Sequence, residues 1–290
     1  MPKYTLDNYS AEHRKYKVIA LDLDDTLLKD DKTISQRNKT ALKKALNQGF
    51  SIAITTGRHP YSALFYMKEL GCLNENSYAV VFNGAAVIRF SDYISFNNPI
   101  GFPSVACTTL SGTLARKISE IAHQFGCRVH GYSVQRGLVL EDLNPHSLRE
   151  VTSSMLDYKL VDFSECSDDE DFFKMLAVGK EEELTVLRNS IHAELNSMFS
   201  IVKSDPNFLE FIPEHSTKGT GLAALCRSIG CSIDNAIAFG DAENDLDMIR
   251  KAGLGVAMKN GFEIVKENAD LVTLTNEEDG VAVVVEKFLR

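Results

Sequence analysis

The apolar positions of this chain fall into short unbroken runs separated by amphipathic stretches. Val18-Ile19-Ala20-Leu21, Phe50-Ser51-Ile52-Ala53-Ile54 and Tyr78-Ala79-Val80-Val81-Phe82 show no helical spacing and read as buried parallel strands. Between the first two, Ser35 can cap a helix whose apolar face is Ala41, Leu42, Ala45 and Leu46, with Gly49 closing it. Between the second and third, Pro60 suits the first turn of a helix carrying Tyr61, Leu64 and Phe65, stopped near Gly71. The alternation predicts an α/β fold with a Rossmann-like, doubly wound parallel sheet.

From about residue 87 the pattern turns mixed. Ala86-Val87-Ile88 and Gly137-Leu138-Val139-Leu140 look like strands, Leu114 to Phe125 a helix, Cys166 to Asp171 an acidic loop, and Phe173 to Val178 another strand. Residues 87–203 are therefore expected to be an inserted α+β domain, and 1–86 with 204–290 the sheet core. The first style then resumes. Lys218-Gly219 opens a helix with Leu222, Leu225, Cys226 and Ile229 on one face and Gly230 at its end. Ala236 to Phe239, Leu254 to Met258 and Leu271 to Leu274 read as short strands, with a helix bearing Leu246, Ile249 and Ala252 after the first. A last helix shows Val281, Val284, Val285 and Phe288 at i, i+3, i+4 and i+7.

Composition narrows what this fold can do. The 290 residues are 44% hydrophobic and 24% charged, which is globular composition. A net charge of −9 disfavours nucleic acid or an anionic membrane as a partner. No apolar run approaches the ~18 residues of a membrane span, and the polar first 17 residues carry no apolar core of signal-peptide length. A cytoplasmic protein is expected. Six scattered cysteines form no Cys-x-x-Cys pair and read as reduced thiols. The run Ser167 to Asp171 lacks the glycine and spacing of a calcium loop and reads as a solvated surface loop. His59, His130 and His215 show no partner pattern and read as surface or loop histidines. Nothing in the sequence speaks to oligomeric state.

The candidate chemistry begins where the first strand ends. Asp22 and Asp24 are two residues apart, so an extended chain would put both carboxylates on one face, a costly crowding unless a cation or a proton transfer uses them. Ligands of open α/β sheets bind at such strand ends. Three more polar sites follow at element ends: Thr56-Gly57, Lys218, and Asp241/Asn244/Asp245. Taken singly, each has a plainer reading: Asp22 and Asp24 as turn or capping residues, Thr56 as a helix cap, Lys218 as a surface lysine, Asp245 as a first-turn acid. Together they suit phosphoryl transfer, which is mostly positioning and charge neutralisation.

In their order these residues resemble the haloacid dehalogenase superfamily, in particular its Cof-type phosphatases (subfamily IIB) with a large cap inserted after the second motif. The resemblance rests on Asp22-Leu-Asp24-Asp-Thr26, Thr56-Gly57-Arg58, Lys218 and Gly240-Asp241-Ala-Glu-Asn244-Asp245. Asn83-Gly84-Ala85, Met258-Lys-Asn260, Ala269-Asp270 and Glu278-Asp279-Gly280-Val281 match further family phrases. It implies a Mg²⁺-dependent phosphatase acting on a small phosphorylated metabolite, with sugar phosphates among the candidates. Asp22 would be the nucleophile and Asp24 the acid and then the base. Thr56 and Lys218 would hold phosphoryl oxygens. Asp22, the Asp24 carbonyl, Asp241 and Asp245 would bind Mg²⁺, and Gly57, Arg58, Asn83, Asn244 and Asn260 would contact substrate or loops. Residues 87–203 would be a specificity lid. Two departures stand out: Asp25 where the family often has Gly, expected to point away from the metal, and Gly261 where Ala is usual, expected to matter little. The rival readings are a phosphomannomutase-like phosphotransferase of the same superfamily and a phospho-aspartate signalling or binding module.

Overall fold

A computed structural model describes residues 2–9, 16–96, 101–154, 156–191 and 198–289. The chain enters on β1 (Val18–Leu21), whose four residues are all buried, and Asp22 follows at once. Helix α1 (Gln36–Asn47) starts where Ser35 accepts from the Asn38 backbone N–H at 3.1 Å. Strand β2 (Ser51–Thr55) leads to α2 (Pro60–Leu70), which has Pro at N1, His59 as N-cap and Gly71 as its left-handed C-cap at φ 63°. Strands β3 (Ser77–Val81) and β4 (Ala86–Arg89) complete this half, with α3 (Phe90–Phe96) after them.

The chain then runs through β5 (Ala106–Cys107), β6 (Leu110–Ser111), α4 (Gly112–Gln124), β7 (Arg128–Ser133), β8 (Gly137–Leu140), α5 (Pro145–Ser154), β9 (Tyr158–Leu160), β10 (Asp171–Val178), α6 (Glu181–Ser190), β11 (Phe199–Asp205) and β12 (Phe208–Pro213). It returns on α7 (Lys218–Ser228), β13 (Ala236–Gly240), α8 (Leu246–Lys251), β14 (Leu254–Ala257), α9 (Glu263–Asn268), β15 (Leu271–Val272) and α10 (Gly280–Val285).

Among the described residues the strands form two sheets, and the chain divides into two compact units. The first comprises Met1–Ser95, Ser104–Ala106 and Thr217–Arg290; the second comprises Phe96–Pro103 and Cys107–Ser216. In the first unit the order is β15-β14-β13-β1-β2-β3-β4-β5, parallel from β15 through β3. This is the expected doubly wound arrangement, with β1 and β13 side by side, so Asp22 and Asp241 follow neighbouring strands.

The expected limits of the insert differ from these units. Val87 and Ile88, placed at its start, belong to β4, which pairs antiparallel with β3 in the first sheet. Residues 204–213, placed in the core, carry part of β11 and all of β12, both in the second sheet. The reason lies in a charge: Glu210 interrupts the apolar run of β12 but is buried, paired with Lys174 of β10 at 2.9 Å.

The second unit's sheet runs β11-β12-β10-β7-β8-β9, with β6 on β10. One face packs on α4 and α6 through Val129, Phe172, Met175, Ala177, Leu184 and Leu187. Alternate residues carry a buried polar set instead: His130, Tyr132, Lys174 and Glu210. Helix α5 lies against them through Ser147, which bonds His130 Nε2 at 2.8 Å, and Glu150, which accepts from the Tyr132 hydroxyl. The surface-loop reading of His130 is therefore wrong, since it is fully buried in a strand. His59 is buried as well, capping α2 through Nδ1. The acidic run is also less free than expected: Glu170 is buried, held by Arg136 at 2.6 Å and the Ser133 hydroxyl at 2.6 Å.

Burial pushes the His130 imidazole down to about 4, with Asp142 opposing and Lys174 adding to the effect. In the unfolded chain it titrates near its ordinary value of 6.5. As pH falls below 6.5 the unfolded state gains the proton first, so stability drops as pH falls. Between pH 7.5 and 5.0 this linkage removes about 2 kcal/mol, and H130Q should lose that slope. Urea unfolding at the two pH values measures it; equal slopes in both proteins would reject the account.

Candidate active site

The site of the first unit is built at the ends of β1 and β13 and at the start of α7. Thr217 caps α7 by accepting from the Thr220 backbone N–H at 3.0 Å, which makes Lys218 the first helical residue. Its side chain is buried and its ammonium lies 2.5 Å from Asp22 Oδ1 and 2.6 Å from Asp245 Oδ1. The other Asp245 oxygen accepts from the backbone N–H groups of Asp241, at 3.0 Å, and Ala242, at 3.1 Å. Asp245 thus ties the ammonium to the turn that presents Asp241. Asp241 is fixed in turn by the Thr26 hydroxyl, which donates to Oδ1 at 2.8 Å.

Asp22, Asp241 and Asp245 bring carboxylate oxygens within 4.8 Å of one another, and all three are buried. One ammonium faces three carboxylates, an excess of negative charge in a poorly solvated place. Burial first, then Asp245 and Asp241, push the Asp22 carboxyl well above its ordinary range against the pull of Lys218. Asp241 rises to about 7, again through burial and Asp245. Lys218 is held charged by Asp22 and Asp245 despite its burial. All donors in the cluster are oxygens, the set that hard divalent cations take. Among the described residues it is the one group of acidic, histidine or cysteine side chains arranged this way.

The other candidate residues fall around this centre. Asp24 turns to the surface, its carboxylate 41% exposed and held by Arg58 at 2.8 Å and Lys32 at 3.0 Å. Arg58 and Lys32 hold Asp24 below the ordinary carboxylate range, although partial burial opposes them. Arg58, read as a substrate contact, is engaged by Asp24. Thr56 is buried, its hydroxyl accepting from the Arg58 N–H at 3.2 Å. Gly57 leaves room for Asn83, since a Cβ there would come within 3.0 Å of the Asn83 amide. Asn83 adopts φ 54° and accepts from Asn244 Nδ2 at 3.2 Å. Asn260 donates to the Asp25 carbonyl at 2.7 Å and accepts from the Asn276 N–H, so it braces the first loop.

Asp25 is exposed and outside the carboxylate cluster, as expected of a bystander, and its φ of 57° explains why Gly suits this position. Gly261 proves less indifferent: a Cβ would lie 2.8 Å from the Asp241 carbonyl oxygen, too close without a shift of that loop. Lys32 and Asn276 were not singled out from the sequence. Neither stands in a motif, and only folding brings them to Asp24 and Asn260.

A family model of haloacid dehalogenase-like hydrolases matches residues 19–285. The chain belongs to this family. It is 32% identical to the 5-amino-6-(5-phospho-D-ribitylamino)uracil phosphatase YcsE of Bacillus subtilis, over 92% of this chain and 93% of that protein. A second Bacillus subtilis phosphatase of the same description, YitU, is 31% identical over 91% of this chain and 94% of its own. A haloacid dehalogenase-like hydrolase from Bacteroides thetaiotaomicron has a similar structure, with a TM-score of 0.81 at 31% identity, covering 94% of this chain and all of that one. Within the haloacid dehalogenase-like hydrolases the chain is a Cof-type member and a phosphatase. No helix among the described residues is long and apolar enough to cross a membrane.

Proposed function

We propose that this enzyme is a Mg²⁺-dependent phosphatase that hydrolyses a small phosphorylated metabolite through an aspartyl-phosphate on Asp22. The reading rests above all on the buried cluster of Asp22, Asp241 and Asp245 around Lys218. Asp22 and Asp241, with the Asp24 carbonyl, would hold the cation, and Asp245 would hold Lys218 and the Asp241 turn. When bound, Mg²⁺ supplies positive charge that lets two anions, the carboxylate and the phosphoryl group, approach each other.

The chain's own groups account for the bond changes. An oxygen of Asp22 attacks phosphorus and the bond to the leaving oxygen breaks, with the Asp24 carboxyl giving that oxygen its proton. Water then attacks the phosphoryl group and passes a proton to the Asp24 carboxylate. The bond from phosphorus to Asp22 breaks and inorganic phosphate leaves. Thr56 and Lys218 would hold the phosphoryl oxygens. Arg58 and Lys32 keep Asp24 as the carboxylate, the form the second step needs; the first step needs Asp24 protonated and hence released from them. Asn83 and Asn244 support the loop carrying Thr56, and Asn260 supports that carrying Asp24.

The inserted unit is proposed to select the leaving group. The ribityl phosphate named for the two Bacillus subtilis relatives supports a phosphate on a small polyhydroxylated compound. Their description as phosphatases supports hydrolysis over return of the phosphoryl group to a sugar. A panel of phosphorylated metabolites, each with Mg²⁺, with a chelator, and with Mg²⁺ restored, tests the proposal. Phosphate release should follow Mg²⁺ and need no sugar bisphosphate. Mg²⁺ at a hundred times its Kd should also stabilise the fold by about 2.7 kcal/mol. Turnover indifferent to the chelator would overturn the metal assignment, and dependence on a bisphosphate would favour the transferase.

A further inference from the structure

The turn that ends α7 brings two cysteines together. Gly230 takes φ 72°, the Cys231 N–H donates to the Cys226 carbonyl at 2.9 Å, and the Gly230 N–H donates to the Arg227 carbonyl at 3.1 Å. This pair of bonds is the Schellman turn, in which the residue two past the helix end folds back on the third residue from that end. Those positions ordinarily carry an apolar contact, and here both are cysteines. Cys226 is fully buried in the core of the first unit, while Cys231 is half-buried and packs against the same cluster.

A disulfide needs two Cα atoms a few ångströms apart and side chains directed at each other. The main-chain hydrogen bond between the two residues meets the first requirement, and the packing of the Cys231 side chain on the apolar cluster that contains Cys226 serves the second. The residues lie outside the phosphatase site, so their chemistry does not rest on it. Burial, with Cys231 beside it, pushes the Cys226 thiol up to about 12, which makes the more accessible Cys231 the first to react.

We propose that Cys226 and Cys231 form a dithiol site that a hydroperoxide converts into an intramolecular disulfide. The Cys231 sulfur, as thiolate, attacks one oxygen of the peroxide. The O–O bond breaks, a sulfenic acid forms on Cys231, and the thiol proton leaves with the departing oxygen as water, or as an alcohol from an organic peroxide. The Cys226 sulfur then attacks the Cys231 sulfur; the S–O bond breaks and the hydroxide takes the Cys226 proton as a second water. The pair gives up two electrons and the peroxide accepts them. The turn makes the second step intramolecular, so it outruns further oxidation of the sulfenic acid. A thiol reductant reverses the reaction.

The test treats the whole protein with hydrogen peroxide, alkylates the remaining thiols and maps the peptides. The expected product joins Cys226 to Cys231, lacks two hydrogens, and returns to two free thiols on reduction. Dimedone added during oxidation should capture little sulfenic acid in the wild type and much more at Cys231 in C226A. C231S should leave Cys226 reduced, whereas C107S, which removes the exposed cysteine, should oxidise as the wild type does. Progress of Cys231 to the sulfinic acid with Cys226 still alkylatable would overturn the proposal. So would oxidation confined to Cys107, and the wild-type map decides both even if a variant fails to fold.

Discussion

Replacing Asp22 by Asn should lower phosphate release by about 10⁴-fold or more, a loss of at least about 5.5 kcal/mol of transition-state stabilisation. The amide has nearly the shape of the carboxylate but lacks the nucleophilic oxygen anion, so no acyl-phosphate can form. Stability should move the other way. In the metal-free protein Asp22 is one of three buried carboxylates sharing one ammonium, and its raised pKa records the cost of ionising it there. D22N removes that cost, so metal-free D22N should unfold at higher urea than wild type at pH 7.5. Such opposite movements of activity and stability mark a site kept strained for use. Phosphate assays on an aryl phosphate and urea unfolding in chelator are the two measurements. Wild-type turnover in D22N would end the nucleophile assignment, and a lower unfolding midpoint would show that Asp22 serves the fold instead.

The sequence made the first sheet readable because its strands obey one simple rule. Each of β1, β2, β3, β13 and β14 is buried along its whole length, so apolar runs mark them directly, and the catalytic candidates stand at their ends. The second sheet breaks that rule. Glu210 sits in the middle of a buried strand and hides β12 from a search for apolar runs, because its charge is offset by Lys174 of β10 only after folding. Helix α5 inverts the usual pattern too. Ser147 and Glu150 are buried, while Leu148 is exposed, since this helix meets polar residues of the sheet.

At the site the same division holds. The motif residues Asp22, Lys218, Asp241 and Asp245 could be named from their order, and folding brings all four together. Thr26 stood within the first motif, yet its bond to Asp241 crosses 215 positions of sequence. The partners of Asp24 were the least legible. Arg58 carries a motif position but no sign that its guanidinium turns to Asp24, and Lys32 reaches that carboxylate from a turn where it takes φ 63°. Long-range pairing of charged side chains leaves no periodic trace in a single sequence.

Lys218→Met carries the other large effect, and it separates the fold from the chemistry. The ammonium is the counter-charge to Asp22 and Asp245, and removing one partner of a buried ion pair costs about 3–5 kcal/mol. The folded protein raises the lysine's pKa, so its contribution is fully present below the unfolded value of 10.5 and is lost only as pH rises through the higher folded one. At pH 8 the variant therefore forfeits all of it. The carboxylates left behind have another way to shed charge, which is to take up protons, and Asp241 already titrates near 7. The penalty should therefore shrink between pH 8 and pH 5.5. Mg²⁺ bound among the same carboxylates should shrink it as well, so K218M should gain more stability from Mg²⁺ than wild type does. Turnover should still fall by about 10²–10³-fold with Mg²⁺ present, because the phosphoryl oxygens lose a preorganised cation. Urea unfolding of both proteins at the two pH values, with and without Mg²⁺, separates these effects. A K218M protein as stable as wild type at pH 8 without divalent cation would mean that the three carboxylates do not repel, and the case for a cation among them would fall with it.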